Sequence, residues 1–499
     1  MPKVTINGKD LEVAPGTSVI QAAQQLDIPI AHYCYHEGLS IAGACRMCLV
    51  EVEKNPKLQI ACNLPIADGM VVHTDSEKVR DAVKWSLDFH LINHPLDCPI
   101  CDQAGECKLQ DYYMTYGLYS PEMNQPKVKK SKAIGLGDRV VLDQERCILC
   151  SRCVRFTSEI TKTNELGIFN RGDRSIIGTF DDKPLNNNYS LNTVDICPVG
   201  ALTSKDFRFK QRVWFLKDFE STCNGCATGC AITVSYNANG VFRVRPKVDP
   251  EVNGYWMCDE GREVYKQANK EYRLESIVEK SLELGGALVK GKPVALALQE
   301  IARNMNKFLT ENSHDSVALV VTAQYTNEEL EALFELFSKK LKIKQIFYWR
   351  NNEETFEDFD GLLLRGDKNP NTKGLRQIME KYGVSSSFKD FENISKVGKI
   401  KMTVVAGPEN QAVYPDLGKK VESICSTGGE VVWLTVAKNE LFSGFKWQIP
   451  MKSFVEKDGT FINFKGLERK IKGQLKIVDS ALTLKEFSKG LAESMGENI

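Results

Sequence analysis

The chain has 499 residues, room for about three to five domains at roughly 100–200 residues each. Its hydrophobic fraction of 42% and charged fraction of 26% are ordinary, and 65 basic residues balance 65 acidic ones, so nothing marks a nucleic-acid or anionic-membrane surface. No apolar run approaches the roughly 20 residues of a membrane span, and MPKVTINGKDLEV has no apolar h-region, so no export signal is expected.

The opening 30 residues predict a hairpin and a helix. Val4 and Ile6 alternate, Asn7-Gly8 is a type I′ turn signal, and Leu11 and Val13 alternate on the return. Ser18 with Gln21 forms a capping box for a short helix ending near Gln25. A hairpin followed by a helix is how a β-grasp ferredoxin begins. Residues 79–93 predict a second helix, with Val79, Val83, Leu87 and Leu91 at four-residue intervals. Residues 120–133 predict a basic linker whose lysine run is solvated. After about residue 285, Val294–Leu298, Val317–Val321, Ile346–Trp349, Thr403–Ala406 and Val431–Val436 read as strands, with helical patterns between them. One helix opens on a Thr326 capping box and buries Leu330, Leu333, Phe334, Phe337 and Leu341. Alternating strands and helices predict a parallel, doubly wound sheet. No GxGxxG or P-loop accompanies it.

Cysteine is the outlier. Of 16 cysteines, fifteen lie between Cys34 and Cys258, and only Cys425 lies beyond. A disulfide framework suits small secreted domains, whereas clustered CxxC pairs in a reducing compartment are more often metal ligands.

The cysteines sort into groups. Cys34, Cys45, Cys48 and Cys62 lie on a loop rich in small residues (CYHEGLSIAGACRMC), which suits a [2Fe–2S] cluster. A structural zinc site is the rival. Cys147, Cys150, Cys153 and Cys197-Pro198 match one complete ligand set of the two-cluster ferredoxin pattern C-x2-C-x2-C-x3-C-P. The other set is wholly replaced, by Thr157, Asn187, Ser190 and Thr193. One [4Fe–4S] cluster is retained and one is lost. Cys223, Cys226, Cys230 and Cys258 read as a further [4Fe–4S] site, with a zinc ribbon as rival.

The stretch HPLDCPICDQAGEC supplies only Cys98, Cys101 and Cys107. His94 and His90 both precede the first of these cysteines. His90 falls inside the helical pattern and reads as partly buried or capping. Pro95 disfavours helix at position 94, so His94 sits at a bend near Cys98 and is the expected fourth ligand. The rival is a three-cysteine cluster with an open iron.

Together these motifs resemble the large iron–sulfur subunit family of respiratory complex I, the proton-translocating NADH:quinone oxidoreductase. RCILCSRCVRF with DICPVGAL, and CNGCATGC with Cys258, carry the match alongside the two stretches quoted above. The resemblance covers residues 1 to about 265. It implies a multidomain α+β chain. Its parts would be a β-grasp [2Fe–2S] domain at 1–78, a [4Fe–4S] domain with one histidine and three cysteine ligands at 79–119, and a ferredoxin-like [4Fe–4S] domain at 134–217. A [4Fe–4S] domain of molybdopterin-oxidoreductase type at 218–275 and a shortened α/β domain at 276–499 would follow. VEKDGTFINFKG resembles a segment near the end of that last domain. No molybdopterin is expected, because too few residues follow Cys258, and Cys425 is expected to be a buried core thiol.

The implied role is electron transfer through one [2Fe–2S] and three [4Fe–4S] clusters, with no catalytic centre in this chain. The implied partners are a flavin- and NADH-binding subunit, a small [2Fe–2S] subunit and quinone-side subunits, among them a two-cluster ferredoxin. The implied location is the peripheral arm on the cytoplasmic face of a bacterial inner membrane. The alternative is the electron-transfer subunit of a NAD-reducing hydrogenase or formate dehydrogenase.

Overall fold

Strand Lys3–Ile6 turns through Asn7 and Gly8, at φ 47° and 78°, into Lys9–Glu12; glycine reaches that left-handed geometry without a Cβ clash. This is seen in a computed structural model that describes residues 1–117, 125–180, 183–281 and 285–497. The chain divides into two units, Met1–Leu216 and Lys217–Ile499.

In the first unit the hairpin pairs in parallel with Met70–His73, inside a five-stranded sheet completed by Leu49–Val52 and Gln59–Ile60. Helix Val19–Gln25 covers it, and the Gln21 side chain accepts from the Ser18 N–H as the capping box requires. Val4, Ile6, Val19, Ile20, Val50 and Val72 form the core with Cys48 and Cys62. Helix Glu77–Leu91 is capped by Ser76 and buries Val79, Val83 and Leu87. Helix Lys108–Tyr116 follows Cys107.

Of the basic linker, residues 120–124 lie outside the described residues. The rest departs from the expected solvated run. Lys127 donates to the Leu91 and Ile92 carbonyls at the end of the Glu77–Leu91 helix, and Lys132 pairs with Asp97 and Glu145. Orphan carbonyls at a helix C-terminus attract a cation, which a composition reading does not reveal. Lys129 alone behaves as expected, with its side chain 82% exposed.

Residues 134–204 form a three-stranded sheet (Ile134–Gly135, Val140–Leu142, Leu202–Ser204) and a hairpin (Leu166–Phe169, Ile176–Thr179). Short helices Arg152–Arg155 and Asn192–Asp195 adjoin the cysteine-bearing segments of Cys147–Cys153 and Cys197.

The second unit begins with an antiparallel sheet, Lys217–Thr222, Ala231–Asn237 and Gly240–Pro246. A seven-stranded sheet follows. Five of its strands are parallel, with Trp447–Pro450, Glu430–Thr435, Met402–Ala406, Val317–Val321 and Ile346–Tyr348 side by side. An antiparallel hairpin, Val278–Ser281 with Ala287–Lys290, forms the far edge, so the sheet is mixed and not wholly parallel as predicted. Both faces are covered. Val317, Leu319 and Val321 enter one core, while Ala318 and Val320 enter the other. Thr326 caps its helix with Glu329 as the sequence predicts.

Two expectations fail here. Val294–Leu298 is not a strand but the start of helix Val294–Glu311. Ala297, Leu298, Ile301, Ala302 and Met305 line its buried face, and a short apolar run alone cannot distinguish strand from helix. Cys425 is exposed, at the end of helix Leu417–Cys425, because Val421 and Ile424 take the inward positions.

Candidate metal centres

The first group is drawn together from a long loop and a 3-10 turn. Cys34, Cys45 and Cys48 precede strand Leu49–Val52, Cys62 lies in turn Ala61–Asn63, and all four are buried. They meet as two close pairs. A hydrogen bond from Cys45 holds the Cys34 thiol down to about 5, and one from Cys48 likewise lowers Cys62. Buried thiols gathered at one site in this way can hold a metal core. The loop backbone also reaches sulfur, with the Tyr33 N–H donating to Cys45 Sγ at 3.4 Å. His90 holds the Cys45 carbonyl at 3.0 Å, which accounts for it without a ligand role. His36 accepts from the Gly38 N–H at 3.1 Å and His32 contacts the Ile30 carbonyl at 2.7 Å, so both serve the loop.

Cys147, Cys150, Cys153 and Cys197 all line one pocket, walled by Leu142, Ile148, Ile177, Val199 and Leu202. Burial there pushes Cys147 up to about 12 and Cys150 up to about 11, and Cys153 higher still. Backbone N–H groups of Val199, Leu202 and Ala201 point at Cys197 and oppose that rise. Four thiols around an apolar-walled pocket, with backbone amides beside Cys197, suit a metal core that takes the thiolates and releases their protons. At the replaced second set, Thr157, Ser190 and Thr193 are buried and Asn187 is half-buried. The Thr157 hydroxyl donates to the Val154 carbonyl and Thr193 to that of Ser190, while Asn187 binds Glu165, so local hydrogen bonds occupy these positions.

Cys223, Cys226, Cys230 and Cys258 line a second pocket. The Gly225 N–H donates to Cys223 Sγ at 3.4 Å and the Gly261 N–H to Cys258 Sγ at 3.3 Å. The segment VEKDGTFINFKG is built against this loop. The Phe464 N–H donates to the Ala227 carbonyl at 2.9 Å and Asn463 Nδ2 to that of Thr228 at 3.2 Å, and just beyond it Arg469 Nε reaches the Gly229 carbonyl at 3.1 Å. One role of the α/β domain is therefore to grip this cysteine loop.

The remaining set is less compact. Cys98 is exposed, Cys101 half-buried and Cys107 buried, and burial raises the Cys101 and Cys107 thiols. Gly200 comes so close that a Cβ there would stand 2.3 Å from Cys101 Sγ. His94 is half-buried; its buried Nδ1 has no hydrogen-bond partner, and burial followed by Arg146 lowers its pKa to about 4. A neutral imidazole with an orphaned buried nitrogen fits a metal ligand. The structure sets it beside Arg146, Lys127 and Asp97, and the link to the cysteines passes through Arg146, which also faces Cys101. Among the described residues no three His, Cys, Asp or Glu side chains converge at the spacing of a single ion.

Sequence reasoning passed over Arg146, Arg152 and Arg155. All three sit within ERCILCSRCVRF, and their signal is a basic residue beside a cysteine in a segment otherwise destined for burial.

Four family models match in chain order. They are a 2Fe-2S iron-sulfur cluster binding domain at 2–77, the NADH-ubiquinone oxidoreductase-G iron-sulfur binding region at 84–121, the ferredoxin-like domain of NADH-quinone oxidoreductase subunit 3 at 137–203, and the molybdopterin oxidoreductase Fe4S4 domain at 216–270. The G subunit of the NADH-quinone oxidoreductase of Rickettsia bellii is 43% identical over 265 residues, which is 53% of this chain and 39% of that protein. The mitochondrial NADH-ubiquinone oxidoreductase 78 kDa subunit of Candida albicans is 43% identical over 263 residues, covering 52% of this chain and 36% of the relative. The match thus spans well under half the length of these curated relatives. A solved NAD+-reducing [NiFe]-hydrogenase chain is 27% identical, with a TM-score of 0.39 over 42% of this chain and 91% of that one. Over residues 2–270 the chain carries a [2Fe–2S] domain and several [4Fe–4S] domains and is a homologue of the NADH-quinone oxidoreductase G subunit and its mitochondrial counterparts.

Proposed function

We propose that the chain is the electron-transfer subunit of a proton-translocating NADH:quinone oxidoreductase, relaying electrons from a flavin subunit towards a quinone-side iron–sulfur subunit. The supporting observation is that separate thiol sets, each gathered on its own site, share one chain whose N-terminal half is homologous to the G subunit of that enzyme. Cys34, Cys45, Cys48 and Cys62 hold the [2Fe–2S] cluster. His94 with Cys98, Cys101 and Cys107, then Cys147, Cys150, Cys153 and Cys197, then Cys223, Cys226, Cys230 and Cys258, hold three [4Fe–4S] clusters. When bound, these clusters accept and donate single electrons.

The chain's own residues tune that chemistry. Apolar walls exclude water, backbone N–H groups stabilise sulfur charge, and a neutral histidine replaces one anionic thiolate. The partners are a flavin- and NADH-binding subunit, a small [2Fe–2S] subunit and quinone-side subunits, and the place is the peripheral arm at the cytoplasmic face of a bacterial inner membrane. No helix among the described residues is long and apolar enough to cross a membrane. Iron and acid-labile sulfide analysis with EPR of the dithionite-reduced chain tests the reading. It expects both a [2Fe–2S] and several [4Fe–4S] signals; bound zinc with no EPR signal would overturn it.

A further inference from the structure

Directly after Cys153 the chain completes helix Arg152–Arg155 and continues through the wider turn Phe156–Ile160. Three side chains on this segment, Arg152, Arg155 and Glu159, stand three and four residues apart and so share one face. All three reach the loop that carries Cys34. Arg155 Nη2 donates to the Cys34 carbonyl at 2.5 Å and to the Cys150 carbonyl at 3.5 Å. Its Nη1 donates to the Ser40 carbonyl. Arg152 donates to the Tyr35 carbonyl with one arm and to the Ile196 carbonyl, at 3.1 Å, with the other. Glu159 accepts from the Ser40 N–H at 2.8 Å and from its hydroxyl.

Each guanidinium therefore touches both candidate cluster sites. Arg155 joins ligand Cys34 to ligand Cys150. Arg152 joins the neighbour of Cys34 to the neighbour of Cys197. Glu159 fastens the far end of the same loop. That loop, from Ile28 to Met47, contains no strand or helix, so side-chain contacts such as these take the place of a backbone ladder in fixing where Cys34 stands. Arginine suits the task because its planar fork presents several donors in fixed directions, and one lysine ammonium cannot span two carbonyls in the same way.

Resting on the cluster assignment above, we propose that Arg152, Arg155 and Glu159 are positioning residues that clamp the Cys34 loop and so set the separation of the Cys34–Cys62 and Cys147–Cys197 sites. One electron leaves the first site, which is oxidised, and enters the second, which is reduced; no proton moves and no bond is exchanged. The rate of such a transfer falls exponentially with distance, so a clamp on the spacing is a clamp on the rate.

The test uses the full chain loaded with its clusters, reduced with dithionite. The variants are Arg155→Gln, Arg155→Lys and Glu159→Gln. Iron and sulfide content and the g-values of each cluster should match the unmodified chain. What should change is magnetic coupling: the relaxation enhancement that the [4Fe–4S] spin imposes on the [2Fe–2S] signal should be lost in Arg155→Gln and weakened in Arg155→Lys. Electron passage between the two sites, followed after rapid photoreduction, should slow severalfold. Should Arg155→Gln fail to fold, Glu159→Gln leaves both arginines in place and should show a smaller loss in the same direction. Fully loaded Arg155→Lys and Glu159→Gln proteins with unchanged relaxation and unchanged rate would overturn the clamp. An unmodified chain with no iron–sulfur signal would instead overturn the cluster assignment on which it rests.

Discussion

Gly200→Ala is the sharpest probe of the site formed by Cys98, Cys101 and Cys107. The added Cβ would stand 2.3 Å from Cys101 Sγ and 3.0 Å from Gln103 Cβ, where ordinary contact begins at 3.4 Å. The cysteine sulfur would have to retreat by about 1.1 Å, the difference between 3.4 Å and 2.3 Å. Metal–ligand distances tolerate only about 0.2 Å, so a shift of that size removes Cys101 from any cluster. The protein itself should survive, because overpacking of one methyl group costs about 1–3 kcal/mol. The assay is iron content with EPR of the reduced protein. The histidine-bearing [4Fe–4S] signal and about four irons should disappear while the [2Fe–2S] signal remains. Gly135→Ala serves as control, since its Cβ would meet only the flexible Lys205 Nζ at 3.8 Å. A Gly200→Ala protein with every cluster signal intact would refute the assignment of Cys101 as a ligand.

The remaining predictions concern single side chains. His94→Cys should retain its cluster with a shifted potential, and His94→Ala should lose the cluster or leave a labile iron; an unchanged EPR signal in the alanine variant would remove His94 from the ligand set. Arg273 and Glu456 form a buried pair with 0% and 2% of their side chains exposed, so Arg273→Met should cost about 3–5 kcal/mol in urea denaturation, and a loss under about 1 kcal/mol would deny the pair that role. Glu456 should also make stability depend on pH. Burial pushes its carboxyl up, but Arg273 and the backbone N–H groups of Ser453, Ile477 and Val478 outweigh burial and hold it below the usual value. A depressed carboxyl contributes stability above its unfolded value of about 4.3 and loses it as pH falls through the folded value. The stability gap between the unmodified chain and Glu456→Gln should therefore close in acid; a gap that stays constant from neutral pH into that range would contradict this.

Much of the chemistry was legible from spacing alone. The complete set Cys147, Cys150, Cys153 and Cys197, beside the fully replaced set Thr157, Asn187, Ser190 and Thr193, follows from one template laid on the sequence. The hairpin at Asn7-Gly8 and the capping boxes at Ser18 and Thr326 were equally readable, because turn and cap chemistry is local. The Val294–Leu298 run was misread because five apolar residues carry no decisive period, and only the helical register through Met305 resolves it. Cys425 was misplaced because burial at a helix end depends on which neighbour faces inward.

What the sequence by itself determined is how the thiols are grouped, since their spacing is a property of the chain. Tertiary structure decided everything that requires two distant segments to meet. It paired Cys34 with Cys45 and Cys48 with Cys62, and pressed Gly200 against Cys101. It turned Arg155 of one cysteine motif onto the carbonyl of Cys34 in another, and brought Asn463 and Phe464 back to the Cys226–Cys230 loop. No local propensity encodes contacts between segments so far apart in the chain. They arise only when the packed core of each unit fixes where its own loops must lie.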